Sequence, residues 1–266
     1  MDYYPQRIVC LTEETTETLY LLGQQDRIVG ISGFTVRPPQ ARKEKPKVSA
    51  FTEADIEAIV QLHPDLVIGF SDIQADIAKA LIARGLTVWV NNHRSVAGIL
   101  RMIVQLGALT GSTEKALQLV GQINNQIEEI KKETSVWPLR PKVYFEEWYE
   151  PLISGIRWVG EIITLAGGRE AFPQLSRQPL AKDRIIADPQ EVVAANPDII
   201  LASWCGKKFK PARMLARPGW QDIKAVKEGY VYEIDSAIIL QPGPAALLEG
   251  LPQIHSIVKR WIKDKL

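Results

Sequence analysis

The stretch Asp55-Ile56-Glu57-Ala58-Ile59-Val60-Gln61-Leu62-His63-Pro64-Asp65-Leu66-Val67-Ile68 returns, reworded, as Pro189-Gln190-Glu191-Val192-Val193-Ala194-Ala195-Asn196-Pro197-Asp198-Ile199-Ile200-Leu201. Each copy reads as an amphipathic helix, a Pro-Asp turn and a short apolar strand. Two more pairs extend the repeat in the same order. Arg7-Ile8-Val9-Cys10-Leu11-Thr12-Glu13-Glu14 matches Lys142-Val143-Tyr144-Phe145-Glu146-Glu147, a strand ending in acids. Gly85-Leu86-Thr87-Val88-Trp89-Val90 matches Gly229-Tyr230-Val231-Tyr232-Glu233-Ile234, a glycine turn and then a strand. Strands alternating with helices predict an α/β fold of two similar lobes, with parallel sheets flanked by helices. Two lobes imply a cleft between them, where ligands bind. Thr52-x-x-Asp55 predicts a capping box, and Asp188-Pro189-x-Glu191 puts proline at a helix start.

Between the repeats, Ala116, Val120, Ile123, Ile127 and Ile130 recur at helical spacing from Ser112 to about Glu133. Gly111 closes the preceding helix and Ser112 is the expected N-cap. Trp137-Pro138 ends the segment. The expected organisation is a lobe at 1–111, one long connecting helix at 112–134 and a second lobe at 135–266. A single helix makes a stiff hinge, coupling the lobes rigidly with little closure on binding.

The 266 residues are 46% hydrophobic and 24% charged, with net charge +1. That balance recruits neither nucleic acid nor a membrane surface. No apolar run suits a membrane span. The start, Met1-Asp2-Tyr3-Tyr4-Pro5, shows no secretory signal, so a cytoplasmic location stays open beside removal of a signal. Cys10 and Cys205 are expected to be free thiols. No nucleophile elbow, phosphate loop or His-Glu-x-x-His is present, and binding rather than catalysis is the expectation. Of the histidines only His93 is placed to reach a cleft, so no metal cluster is expected. A monomer is expected.

In parallel α/β lobes ligands meet the loops beyond the carboxyl ends of strands. Glu13, Glu14 and Thr15 follow the first strand; their carboxylates suit ligand amides or a cation, or Thr12 and Glu13 cap the next helix. Phe34 lies in the next such loop. Phe70 and Ser71 follow the strand of the first repeat, and Trp204 follows its counterpart. Two facing aromatics suit a flat macrocycle such as corrin or haem, unless one packs into its own lobe. Truncating Trp204 is then expected to cost binding more than folding. Glu146 and Glu147 form an acidic pair beside Trp148, with Trp158 either ligand-facing or core. Gln241 completes the expected set as an orienting polar group.

Several stretches also resemble, in order, the helical-backbone class of substrate-binding proteins of ABC importers. They are Val29-Gly30-Ile31-Ser32 with Pro38-Pro39, Lys47-Val48-Ser49 with the first repeat, and Ser154-Gly155 followed by Leu165-Ala166-Gly167-Gly168. Trp148-Tyr149-Glu150-Pro151, Trp158-Val159, Cys205-Gly206 and Pro242-Gly243-Pro244 are similar to its cobalamin-binding branch. The resemblance implies capture of a corrinoid for uptake through an ABC permease, with cobalamin as ligand and no cofactor required. A ferric siderophore or haem is the alternative, left open by Arg37 and Tyr149, and a cytoplasmic carrier or sensor is another. The family is exported and docks through acidic residues on each lobe. Asp72 and Asp76 suit the first lobe, whereas Lys207, Lys208 and Lys210 occupy the comparable turn of the second. Paired-carboxylate docking is therefore not expected.

Overall fold

The structure is a computed structural model that describes residues 3–266. The chain divides into unit 1, Met1–His93 with Ala97–Gln122, and unit 2, Arg94–Val96 with Ile123–Leu266. In unit 1 the strands are β1 (Ile8–Cys10), β2 (Ile28–Ser32), β3 (Lys47–Ser49), β4 (Leu66–Phe70) and β5 (Val88–Asn91). They form one sheet in the order β3-β2-β1-β4-β5, and the pairs are parallel. Its helices include α1 (Glu13–Leu21), α2 (Pro39–Glu44), α3 (Ile56–Gln61) and α4 (Ala75–Ala83). Helices covering a parallel sheet bury its strands on both faces. Every residue of β1 and β4 is accordingly buried. Val9, Val48, Ile59, Val67 and Leu81 join in one core cluster.

Unit 2 holds β6 (Lys142–Tyr149), β7 (Leu152–Ser154), β8 (Arg169–Glu170), β9 (Ile185–Ile186), β10 (Ile199–Ala202) and β11 (Val231–Glu233). The order is β11-β10-β6-β7-β9, with β8 also on β6. The repeat appears as topology: β1, β4 and β5 adjoin in unit 1 as β6, β10 and β11 do in unit 2. The expectation of parallel sheets needs one correction. β7 runs antiparallel to β6 and β9 antiparallel to β7, so this sheet is mixed. Only Glu150 and Pro151 separate β6 from β7, and so short a link can only return the chain as a hairpin.

The Pro-Asp turns do the same structural work in both units. His63 and Asn196, before each proline, both have φ of 45°, a left-handed conformation that His and Asn tolerate better than most residues. The next aspartate then grips the first residues of the central strand. Asp65 accepts the Gln6 and Arg7 amides at 2.6 and 3.0 Å, while its own N–H donates to the Arg7 carbonyl at 2.9 Å. Asp198 accepts the Lys142 amide at 2.8 Å and donates to the Lys142 carbonyl at 2.8 Å.

Two helix starts differ from expectation in detail. α3 is capped by Asp55, whose carboxylate accepts the Ala58 amide at 2.9 Å, and Thr52 lies outside the helix. The reason is a bridge from Ala54 back to Ser49 and a bond from the Asp55 amide to the Val48 carbonyl at 2.9 Å, which hold this segment against β3. At the second repeat, Asp188 accepts the Gln190 amide at 2.9 Å and the helix Gln190–Ala195 follows.

The expected long helix is α6 (Thr113–Ser135), preceded by α5 (Val96–Leu109). Ala116, Ile123, Ile127 and Ile130 are buried along it. Gly111 has φ of 69° and ends α5 as expected. The Ser112 hydroxyl lies 2.8 Å from that of Thr110, while its carbonyl accepts the Ala116 amide at 3.0 Å. A Cβ on Gly107 would lie 2.4 Å from that of Ala116, so glycine lets α5 and α6 approach closely. Cys10 is buried and Cys205 exposed, both free, and burial pushes the Cys10 thiol up to about 12. Among the described residues no helix is long and apolar enough to cross a membrane.

The Asp198→Ala substitution should lower unfolding free energy by about 1–3 kcal/mol, because it strands a strand-end amide. Asp65 is exposed, so water replaces it and Asp65→Ala should cost less. Urea titration of both variants checks the order; equal losses would show that burial does not set the cost.

Candidate ligand-binding site

At the carboxyl end of sheet β3-β2-β1-β4-β5, Thr12 occupies the cap position of α1 but makes no side-chain cap bond. Its hydroxyl donates instead to Glu14 at 2.6 Å. Glu14 is 1% exposed. Burial pushes its carboxyl up to about 7, against the pull of the Thr12 bond, and nearby Glu17 adds to the rise. Glu17 is held by Arg37 at 2.8 Å. Glu13 is buried too, and Thr15 is buried with its hydroxyl on the Thr12 carbonyl at 3.2 Å. Thr15 thus serves the helix start. Phe34 is 59% exposed in the loop after β2.

Phe70, at the end of β4, is buried and meets His93 edge to face at 5.5 Å. Ser71 follows with φ of 60° and ψ of 175°. Essentially only glycine occupies that region, and strain of this kind costs about 1–3 kcal/mol and concentrates at binding sites. The buried Asn91 amide nitrogen, at the end of neighbouring β5, has no hydrogen-bond partner among the described residues. Ser71, Ala78, Ile82 and Val90 help line a hollow of about 560 Å³ on this unit.

In unit 2 the acidic pair comes apart. β6 is irregular between Glu146 and Trp148, and its two carboxylates are paired separately. Fully buried Glu146 is clamped by Arg217 at 2.6 and 3.1 Å. It also accepts the Trp204 indole N–H at 3.0 Å and the Tyr144 hydroxyl at 3.3 Å. Glu147 is clamped by Arg184 at 2.5 and 2.9 Å. A buried carboxylate needs such a partner, so both charges are neutralised within the unit. The acidic pair expected to serve ligand amides or a cation thus has both carboxylates engaged by arginines.

Trp204 is 2% exposed and packs on Tyr149 and Phe209 at 4.4 and 5.1 Å. Truncating it should cost about 3–5 kcal/mol of stability. Trp158 is 4% exposed and donates to the Ile239 carbonyl at 2.9 Å, the core alternative. Trp148 stays half-buried, stacked on Tyr149 at 4.8 Å. Lys207 sits over both rings, 4.9 and 5.7 Å from their centroids, and Arg213 lies 4.2 Å over Tyr149. Gln241 is half-buried, its carbonyl accepting the Gly243 amide at 2.8 Å. Among the described residues, no group of three or more His, Cys, Asp or Glu could hold a metal.

Arg184, Arg217, Asn91 and Gln74 were missed from sequence. The arginines sit 37 and 71 positions from their carboxylates, beyond any local pattern. Glutamine at 74 and asparagine at 91 carry no motif.

The sequence pattern of the family described as periplasmic binding protein matches residues 8–238. The chain is 28% identical over 259 residues to an uncharacterised ABC transporter substrate-binding lipoprotein of Bacillus subtilis, across 94% of this chain and 79% of that protein. It is 28% identical over 243 residues to a vitamin B12-binding protein of Vibrio campbellii, across 89% and 84% respectively. The solved structure of a periplasmic haem-binding protein of Roseiflexus, in its apo form, matches with a TM-score of 0.80 at 22% identity, over 97% of this chain and 99% of that one.

Arg217→Met should destabilise the chain by about 3–5 kcal/mol because it strands the buried Glu146 charge, and adding Glu146→Met should recover most of the loss. Urea unfolding of the three variants (each single and the double) checks this; additive losses would refute the pairing. Glu14 gives a pH test. Its folded value, about 7, lies above the ordinary 4.5, so its contribution is full below about 4.5 and is lost as pH rises through about 7. Relative to the native chain, Glu14→Gln should therefore gain stability between those values. A constant difference across that range would show that Glu14 ionises normally.

Proposed function

The chain belongs to the periplasmic binding protein family, and from that premise we propose that it captures cobalamin or a related corrinoid, one molecule per chain, for ABC-type uptake. It is a solute-binding protein of ABC transporters and not an enzyme. The observation that carries the corrinoid reading is the half-buried Trp148 stacked on Tyr149 at the carboxyl end of β6. A corrin offers a broad, largely apolar face to such rings and a rim of neutral amides. Neutral amides suit a unit whose two strand-end carboxylates are already paired with arginines. The buried Asn91 amide nitrogen, which has no partner among the described residues, is free to donate to a ligand carbonyl. The similarity to a vitamin B12-binding protein supports the same reading.

One feature favours a second ligand class. Lys207 and Arg213 lie over the Tyr149 ring, and cations there suit the carboxylates of haem or a ferric siderophore. Exposed Lys208 and Lys210, set against exposed Asp72 and Asp76, support docking on the permease without paired carboxylates.

Titration of the purified chain with cyanocobalamin, cobinamide and haemin, followed by tryptophan quenching and ligand absorption, tests the assignment. Saturable binding of both corrinoids at one per chain is expected. Binding of haemin alone would replace the corrinoid with haem, and binding of none would remove the tetrapyrrole class.

A further inference from the structure

Gln74 is fully buried beside the strained turn at Ser71. A buried amide must find partners for its oxygen and nitrogen, and all of those found here lie at the carboxyl end of one sheet. The Phe70 amide donates to the Gln74 oxygen at 2.8 Å. The Gln74 nitrogen donates to the Phe51 carbonyl at 2.9 Å and, more weakly, to the Leu11 carbonyl at 3.4 Å. One side chain thus ties the end of β4 to the loop after β3 and to the residue before Thr12. The fit is close: a Cβ on Gly69 would lie 3.0 Å from the Gln74 oxygen. Ser71 is pinned between these bonds. Its amide donates to the Asn91 carbonyl at 2.5 Å and its hydroxyl accepts the Ile73 amide at 3.2 Å.

A strained conformation persists only where its surroundings over-determine it. We propose that Gln74 is the positioning residue of the ligand site in unit 1, holding the Phe70–Ser71 turn, the Leu11–Thr12 segment and the Phe51 loop in their binding arrangement. This rests on the solute-capture reading above. Gln74 touches no ligand itself. It sets where Ser71 stands next to Asn91, and so where polar groups of an amide-bearing ligand find their partners.

The test compares Gln74→Met, Ser71→Gly and the double variant for cyanocobalamin affinity, melting temperature and amide hydrogen exchange. Gln74→Met should weaken binding by about tenfold or more. It should also speed exchange at the Phe70 and Ser71 amides by about tenfold while leaving Val9 and Ile31 protected. Adding Ser71→Gly should recover part of the affinity, because glycine enters this backbone region without strain, and the same relief should recover part of the melting temperature. A merely structural role predicts the reverse: a lower melting temperature with affinity and Ser71 exchange unchanged, or a double variant that binds no better than Gln74→Met. Either result overturns the proposal. Should Gln74→Met not fold, Gly69→Ala displaces the same oxygen while keeping the amide, and unchanged Phe70 and Ser71 exchange in that variant would also overturn it. If the native chain binds neither cyanocobalamin nor haemin, the solute assignment fails, and the exchange rates still judge whether Gln74 positions the turn.

Discussion

A parallel strand has no hairpin to fix its register, so something else must set where it begins against its neighbour. Here that task falls to one aspartate in each unit. Asp65 and Asp198 each exchange hydrogen bonds with the opening residues of the central strand. In a sheet with one-residue alternation, a slip by one position turns every side chain to the wrong face. In unit 2 that would carry buried Glu146 away from Arg217. Register, buried ion pairs and the Trp148–Tyr149 stack therefore depend on the same short turn.

The parts legible in the sequence were those carried by local pattern. Helix, Pro-Asp turn and strand follow within fourteen positions in the first repeat, and the apolar stripe of α6 repeats over several turns. Their physical cause lies in neighbouring residues. Thr52 was misread as a cap because a capping box is a spacing rule, and the bridge from Ala54 to Ser49 overrides it. Glu146 and Glu147 read in sequence as one acidic pair. Each is paired with an arginine from a distant segment, which no local pattern announces.

The aromatic residues teach a related lesson. Trp158 and Trp204 stand at strand ends or helix starts where ligands are expected, yet both N–H groups are used inside unit 2. Tryptophan buries more area than any other side chain and still needs one polar partner. A strand-end carbonyl or carboxylate supplies it, so such positions serve packing and binding equally well in sequence terms. Trp148 differs because its N–H bonds to the Glu150 carbonyl only two residues on, which leaves the ring half-buried against Tyr149.

The β6–β7 hairpin gives the two units different folding problems. In unit 1 each strand pair closes only after a crossover, so its first sheet contacts must bridge long stretches of chain. Unit 2 can pair Tyr149 with Leu152 across a link of only two residues. Contacts between near neighbours cost little loop entropy and speed folding. Unit 2 therefore owns a local nucleus on which β10 and β11 can be laid, while unit 1, with the same repeated core, must assemble without one.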